Sequence, residues 1–334
     1  MPANPATAIQ HIFADKRPFA QCHASTLVQF ADDTFLAAWF GGSKESNADV
    51  GIWGADYQQG QWSTPRLLAK TRDDAHWNPV LHVDEDGRVY LFFKVGVTIP
   101  DWETWLVESD DGGQNWTEPH ELVARDRGGR GPVKNKMIIL GDGAWLAGAL
   151  VEKDGWDVFV DRSEDRGQTW TASDLVARDP AVFTGHGAIQ PTLWESAPGQ
   201  VHMLVRTTCG KIGRSDSSDG GRNWSPLYPT DLPNNNSGLD LAHLNDGTLA
   251  LVCNPVGKGR TPICILLSTD NGQTWPRRLD IEIDEGEYSY PAIIDTETGM
   301  AITYTWKRER IAFWQGSIEQ IPEGKDKGNA YTTG

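Results

Sequence analysis

The pattern Ser-x-Asp-x-Gly-x-x-Trp occurs four times, beginning at Ser109 (SDDGGQNW), Ser163 (SEDRGQTW), Ser217 (SSDGGRNW) and Ser268 (STDNGQTW). Its tryptophans, Trp116, Trp170, Trp224 and Trp275, stand 54, 54 and 51 residues apart. One more step of 54 back from Trp116 reaches Trp62 in DYQQGQWSTP, a decayed copy without the Ser-x-Asp. A fixed period of this size signals a propeller or a solenoid, because each repeat is one unit that buries its apolar face only against its neighbours. Within the unit, Asp and Asn bond to backbone amides one or two residues on, Gly supplies positive φ, and the Trp ring covers the turn. The motif reads as a fold staple without chemistry of its own.

A second periodic signal runs between the first. Turn-forming pairs occur at Asp32-Asp33, Asp86-Gly87, Asp142-Gly143, Pro198-Gly199, Asp246-Gly247 and Thr298-Gly299. Most lie between apolar runs of strand character, such as VYLFFKV and LALVCN, which makes them hairpin signals. Six hairpins separated by five turn-plus-Trp units predict six sheets. The last sheet, near residues 285–322, has no following Asp turn. Its missing strand is expected from the N-terminus around residues 8–14, which closes the ring and removes open edges. The expected fold is therefore all-β, a six-bladed β-propeller spanning residues 1–322 as one domain, with a flexible tail over 323–334.

Composition excludes several functions. A formal net charge of −16 argues against nucleic acid, which needs a basic footprint, and against anionic membranes. The N-terminal stretch lacks the apolar core of a signal peptide, and no run approaches the ~20 apolar residues of a membrane span. Cys22, Cys209, Cys253 and Cys264 are scattered without metal-ligand spacing. Cys253 and Cys264 are placed on neighbouring strands of one blade and are expected to stay reduced in a cytoplasmic protein. No metal and no cofactor are implied.

Innermost strands of a propeller line its central channel. The strands preceding the six turns carry Cys22-His23-Ala24-Ser25, Trp77-Asn78-Pro79, Lys134-Asn135-Lys136, Ile189-Gln190-Pro191, Ser237-Gly238-Leu239-Asp240 and Tyr288-Ser289-Tyr290-Pro291. The following strands end in Phe40-Gly41-Gly42, Lys94, Arg206, Asn254 and Trp306-Lys307-Arg308. Polar residues at equivalent places in six repeats mark a concave site rather than a structural repeat.

The repeated Ser-x-Asp-x-Gly-x-x-Trp turns resemble the Asp boxes of the sialidase (neuraminidase, BNR-repeat) superfamily, and the resemblance covers nearly the whole chain. It implies a six-bladed propeller with its active site at the channel mouth. Such enzymes clamp a substrate carboxylate with three arginines. Arg206 and Arg260 match two of them, and a guanidinium fork suits a carboxylate through paired N–H bonds. Where the first arginine is expected this chain has His23, which can serve as a neutral hydrogen-bonder, a cation or a base. The family nucleophile is a tyrosine in a Tyr-Ser motif, matched by Tyr288 in Glu287-Tyr288-Ser289-Tyr290; sialidases depart in this way from two-carboxylate glycosidases. At the position of the glutamate that activates the tyrosine stands Gln190, with Glu195 further along. The family's general acid is matched by Asp49, with Glu45 as the alternative, since a carboxylic acid in a closed cleft can protonate a leaving oxygen.

The resulting expectation is an exo-acting glycoside hydrolase for a terminal acidic sugar of the sialic, ulosonic or uronic acid type. Asp49, Tyr288 and His23 are its catalytic candidates. Arg206, Arg260, Gln190, Asn78, Lys94, Lys134, Asn135, Lys136, Tyr290 and Arg308 are its substrate-binding candidates. The lysines are expected to add to a cationic pocket for an acidic mono- or oligosaccharide. Two rivals remain: a polysaccharide lyase in which Tyr288 or His23 abstracts the proton next to a uronate, and a non-catalytic lectin.

Overall fold

The computed structural model describes residues 9–30, 33–323 and 331–332. Within them lie six antiparallel sheets and one two-stranded pair. Each repeat folds as an up-and-down sheet, or blade. Blade 1 runs Gln21–Gln29, Phe35–Gly42, Gly51–Gln58, with Gln61–Trp62 and Arg66–Ala69 at its outer edge. Blade 2 comprises His76–Val83, Val89–Val95, Glu103–Ser109 and His120–Glu121, and blade 3 comprises Ile138–Ile139, Trp145–Glu152, Trp156–Ser163 and Thr171–Ala172. Blade 4 is Ala188–Ala197, Gln200–Thr207, Lys211–Ser217 and Tyr228–Pro233; blade 5 is Asp240–His243, Leu249–Cys253, Ile263–Ser268 and Arg277–Glu282. Blade 6 has three strands of its own, Tyr288–Thr296, Gly299–Trp306 and Arg310–Gly316. Its fourth is the N-terminal Gln10–His11, paired antiparallel with the last of them. The ring thus closes as the missing strand required. The tail expected to be flexible over 323–334 lies mostly outside the described residues; within it Tyr331–Thr332 pairs with Thr274–Trp275.

Six apolar clusters hold the ring, and each lies mainly between neighbouring blades. The periodic turns do what their composition requires. In the Ser109 copy the Asp111 carboxylate accepts from the Gln114 and Asn115 amides at 3.0 and 2.8 Å, and Ser109 Oγ donates to it at 2.7 Å. The Ser217 and Ser268 copies repeat these bonds, and the Ser163 copy repeats all but the first amide bond, its Gln168 N donating to the Asp165 carbonyl instead. Gly113, at φ +84°, has no room for a Cβ, which would stand 2.7 Å from Leu36. Cys253 and Cys264 are cross-strand partners in blade 5, both buried and unbridged.

Up-and-down winding sorts the loops onto two rims. Asp-Gly turns and Ser-x-Asp turns fall on one rim; the starts of first strands and the ends of second strands fall on the other. The polar residues singled out above are therefore gathered on the second rim.

His82 gives the fold a pH dependence. Its ring lies between blades 2 and 3, 4.8 Å from Trp145, and its Nε2 is buried without a protein partner among the described residues. Burial pushes its pKa down to about 4, and does the same for His76. The unfolded chain binds these protons near pH 6.5 and the folded chain does not. Their contribution is therefore full above pH 6.5 and is lost as pH falls toward 4. For His82 alone the loss is roughly 2–3 kcal/mol. We expect urea midpoints to drop between pH 7 and 4.5, and His82→Leu to flatten that slope; an unchanged slope would refute the assignment.

Candidate active site at the channel mouth

Every blade places a non-glycine residue in left-handed backbone within its inner strand or in the segment leading into it. These are Ala24 (φ +56°), Asn78 (+39°), Lys134 (+66°), Gln190 (+59°), Asn236 (+65°) and Tyr290 (+52°). In blades 1, 2, 4 and 6 the pairing register shifts at the same point, between His23 and Thr26, Trp77 and Val80, Ile189 and Thr192, and Ser289 and Ala292. A bulge re-aims a side chain at the cost of local strain, and such strain gathers at functional sites.

The bulge in blade 6 decides which tyrosine reaches the site. In a regular strand Tyr288 and Tyr290 would share a face. Here Tyr288 is buried in the apolar cluster between blades 5 and 6, and burial, then Glu282 and Asp284, raise its pKa. Tyr290 instead stands among the polar residues of the mouth. Its hydroxyl accepts from Arg206 Nη1 at 2.8 Å and from Gln190 Nε2 at 3.1 Å. The expectation for Tyr288 is corrected on these grounds: the phenol at the mouth is that of Tyr290.

Two arginines lie over this ring, and a third shares Glu287 with one of them. The guanidinium carbons of Arg206 and Arg260 lie 5.8 and 5.9 Å from the Tyr290 ring centre. Arg206 is also held by Asn236 Oδ1 at 2.8 Å and lies over the Trp156 ring at 5.3 Å. Arg260 and Arg308 both donate to Glu287 Oε1 at 2.7 Å. Burial works against the Glu287 charge, but Arg308 and Arg260 outweigh it and hold the carboxyl below its ordinary range. Arg308 enters from the blade 6 turn, where Lys307 and Arg308 are both left-handed at φ +53° and +60°. Its carbonyl accepts from Cys22 N at 2.9 Å. A third guanidinium thus stands beside the first inner strand, which has none of its own.

His23 is held neutral here. Burial, then the charges of Arg308, Arg260, Arg206 and Lys134, push its pKa well below the usual value. Its ring lies 4.1 Å from that of Tyr290. Its Nδ1 is 2.9 Å from Thr305 Oγ1, which already accepts from Ala24 N at 3.2 Å. Its Nε2 is buried and has no protein partner among the described residues. Gln190 is equally constrained: its Oε1 accepts from Arg206 at 3.3 Å, so its amide nitrogen faces Tyr290 as a donor.

Four expectations are corrected by their contacts. Lys94 is fully buried away from the mouth and donates to Thr104 Oγ1 at 2.6 Å and the Arg130 carbonyl at 2.7 Å. Lys134 lies under the site, with its Nζ donating to Asn135 Oδ1 and the Leu239 carbonyl at 2.8 Å and to the Pro291 carbonyl. Burial pushes both lysines down to about 7. Lys136 is paired with buried Asp240 at 3.0 Å. Their ammonium groups are engaged by carbonyls, side-chain oxygens and a carboxylate rather than left free for a substrate. Asp49, fourth, is exposed and accepts from Ser43 N at 2.7 Å and Ser43 Oγ at 2.8 Å. Burial slightly opposes its ionisation, but the Ser43 bonds prevail and keep its pKa low, the reverse of what an acid needs. Glu45, from the same loop, reaches Arg308 at 2.6 Å. Asn135 supports the Gln190 carbonyl at 2.9 Å, and Asn78 is buried at the matching position of blade 2. A cleft of about 700 Å³ lined by Asp84, Arg88, Tyr90 and Trp145 contains none of these residues.

Sequence reasoning missed Trp156 and Asn236, which hold Arg206 at the mouth.

Closed propeller, inner-strand bulges and an arginine-tyrosine mouth together define a sialidase-type propeller. The model of the BNR repeat-like domain family matches residues 33–302, and the chain belongs to that family. Among solved structures it is similar to the Hadza microbial sialidase Hz136, with 18% identity, a TM-score of 0.77, and 91% of this chain and 67% of that one covered. The NanB sialidase of Streptococcus pneumoniae aligns at 14% identity and a TM-score of 0.75, over 96% of this chain and 72% of that one. The intramolecular trans-sialidase of Ruminococcus gnavus aligns at 13% identity and a TM-score of 0.75, over 96% and 99%. These likenesses are of fold. No curated protein matches the chain in sequence.

Proposed function

We propose that the protein is a sialidase-like exo-glycoside hydrolase that removes a terminal acidic sugar from a glycoside. The observation that carries this reading is the placement of Arg206 and Arg260 over the Tyr290 ring, with Arg308 joined to Arg260 through Glu287. Arginine forks held by Asn236, Glu287 and Glu45 are preorganised for a carboxylate next to the reacting carbon. Tyr290 then serves as nucleophile or cation stabiliser, since a neutral phenol meets an anionic sugar without charge repulsion. The sialidase activity stated for the structural relatives agrees with this class of substrate.

A lyase reading has one specific support. The Tyr290 hydroxyl has two donors and no carboxylate partner among its described hydrogen bonds, an arrangement suited to taking a proton next to a uronate whose carboxylate the arginines neutralise. Product mass separates the two. Purified protein is incubated with aryl glycosides of sialic, ulosonic and uronic acids and with acidic oligosaccharides. Hydrolysis adds one water to the substrate; elimination adds none and leaves an ultraviolet-absorbing double bond. Turnover of neutral glycosides alone, or saturable binding without turnover, would sink the hydrolase reading.

A further inference from the structure

We propose that Ser196, His202 and Asp216 form a second catalytic centre, in which a serine nucleophile, an imidazole base and an orienting carboxylate cleave small esters by acyl transfer. The centre lies in blade 4 on the rim of the Asp-Gly turns, opposite the mouth, and it does not depend on the hydrolase reading above. Such constellations recur on unrelated folds and are recognised by geometry and roles, not by order in the chain. Ser196 Oγ lies 2.7 Å from His202 Nε2, and His202 Nδ1 lies 2.5 Å from Asp216 Oδ1.

Strand register builds this arrangement. His202, on the second strand of blade 4, is the cross-strand partner of Asp216 on the third strand and of Trp194 on the first. Ser196 is the extra residue where the pairing shifts between Glu195 and Ala197. A bulge re-aims a side chain, and this one brings an exposed serine onto a buried imidazole. The ring is held flat on Trp194, with the two centres 5.0 Å apart. Asp216 is pinned by Arg214 Nε, donating to Oδ1 at 3.0 Å, and by the Tyr228 hydroxyl, donating to Oδ2 at 2.6 Å. Burial opposes its charge, but His202, Tyr228 and Arg214 prevail and hold its pKa at about 2. A carboxylate can only accept, so in the neutral ring Nδ1 carries the proton and Nε2 is left to accept from Ser196. Two longer contacts compete weakly: Arg214 Nη2 lies 3.3 Å from Nδ1, and the Gln200 carbonyl lies 3.5 Å from the serine oxygen.

Asn271, from the Ser-x-Asp turn of blade 5, supplies the remaining part. Its Oδ1 accepts from Trp194 Nε1 at 2.8 Å, which turns its amide nitrogen toward His202, 3.2 Å from Nε2. Its backbone is left-handed at φ +59°, and its carbonyl is held by Arg214 Nη1 at 2.8 Å. A fixed amide donor beside nucleophile and base can take the charge that develops on an ester carbonyl oxygen. In the first half of the reaction Ser196 Oγ bonds to the carbonyl carbon and its proton passes to His202 Nε2. The bond from that carbon to the alcohol oxygen breaks, and the alcohol leaves with the proton from Nε2. Water then attacks the acyl-serine, gives one proton to Nε2, and releases the acid as Ser196 regains its proton. The serine stands on an open turn, which fits a short acyl group.

An alkyl fluorophosphonate tests the nucleophile, since attack forms a phosphorus–oxygen bond and expels fluoride. Intact-protein mass and peptide mapping read the adduct; release of p-nitrophenol from p-nitrophenyl acetate reads turnover. We expect one adduct, at Ser196, and saturable turnover of the ester. Ser196→Ala should abolish both, and it changes an exposed turn residue that the fold does not need. His202→Gln should slow both by about 10²–10⁴-fold, with circular dichroism confirming that the variant is folded. Absence of an adduct at Ser196 in the folded parent would overturn the proposal. So would an adduct that forms as fast in His202→Gln or in the urea-unfolded chain, because the serine would then react without its base. The outcome of glycoside assays bears on the mouth alone, so the two readings stand or fall separately.

Discussion

Tyr290→Phe is expected to lower turnover of an acidic glycoside by about 10²–10⁴-fold, while Tyr288→Phe stays within roughly threefold of the parent. The two residues are separated by one serine, so the contrast tests tertiary placement rather than composition. Removing the Tyr290 hydroxyl takes away the atom that Arg206 and Gln190 both address. Without it the site keeps its arginines and binds the substrate carboxylate, so KM should move far less than kcat. Tyr288 lies among Ile263, Ile293 and Tyr304, where loss of its hydroxyl leaves the mouth unchanged. Steady-state kinetics on the two variants settle the point. A large loss in Tyr288→Phe with little change in Tyr290→Phe would mean that the wrong phenol has been placed in the site.

The second large effect concerns stability. Asp240→Ala should destabilise the fold by about 3–5 kcal/mol, because breaking a buried ion pair leaves its partner uncompensated. The Asp240 carboxylate joins four blades at one point. Its Oδ1 accepts from Thr192 Oγ1 of blade 4 at 2.8 Å and from Leu241 N at 2.9 Å. Its Oδ2 accepts from Ile293 N of blade 6 and from Lys136 Nζ, both at 3.0 Å. Lys136 belongs to the segment leading into blade 3, and its charge would be left facing carbonyls alone. A double-mutant cycle with Lys136→Met, read from urea unfolding, should return a coupling of about 1–3 kcal/mol, so that the double variant is less damaged than the sum of the singles. Additive losses would show that the pair is not the joint described here.

Both predictions concern residues that sequence reasoning singled out or passed close to, and in both the role came from elsewhere. Lys94, Lys134 and Lys136 read as pocket cations because they stand on strands expected to line the channel. Their burial consumes them as donors to carbonyls and to Asp240 instead. Asp49 was matched by interval from His23, but interval along a loop does not report whether Ser43 caps the carboxylate. Tyr288 was matched by its neighbour Ser289, and a regular strand would have made that match harmless. The bulge between Ser289 and Ala292 gave the site to Tyr290.

The chain by itself determined its architecture: the repeat of Ser-x-Asp turns, the alternating Asp-Gly hairpins and the missing last strand required a closed ring of six sheets with polar inner strands. These are local and periodic signals, set by turn chemistry and strand alternation within a few residues. Only the tertiary structure decided which side chains share the mouth. His23 meets Tyr290, Arg308 reaches Glu45, and Arg206 meets both Tyr290 and Trp156, across separations that no local pattern spans. Left-handed residues on the inner strands turn each side chain by an amount that hydrophobic periodicity does not encode, and burial then decides which charges remain for a substrate.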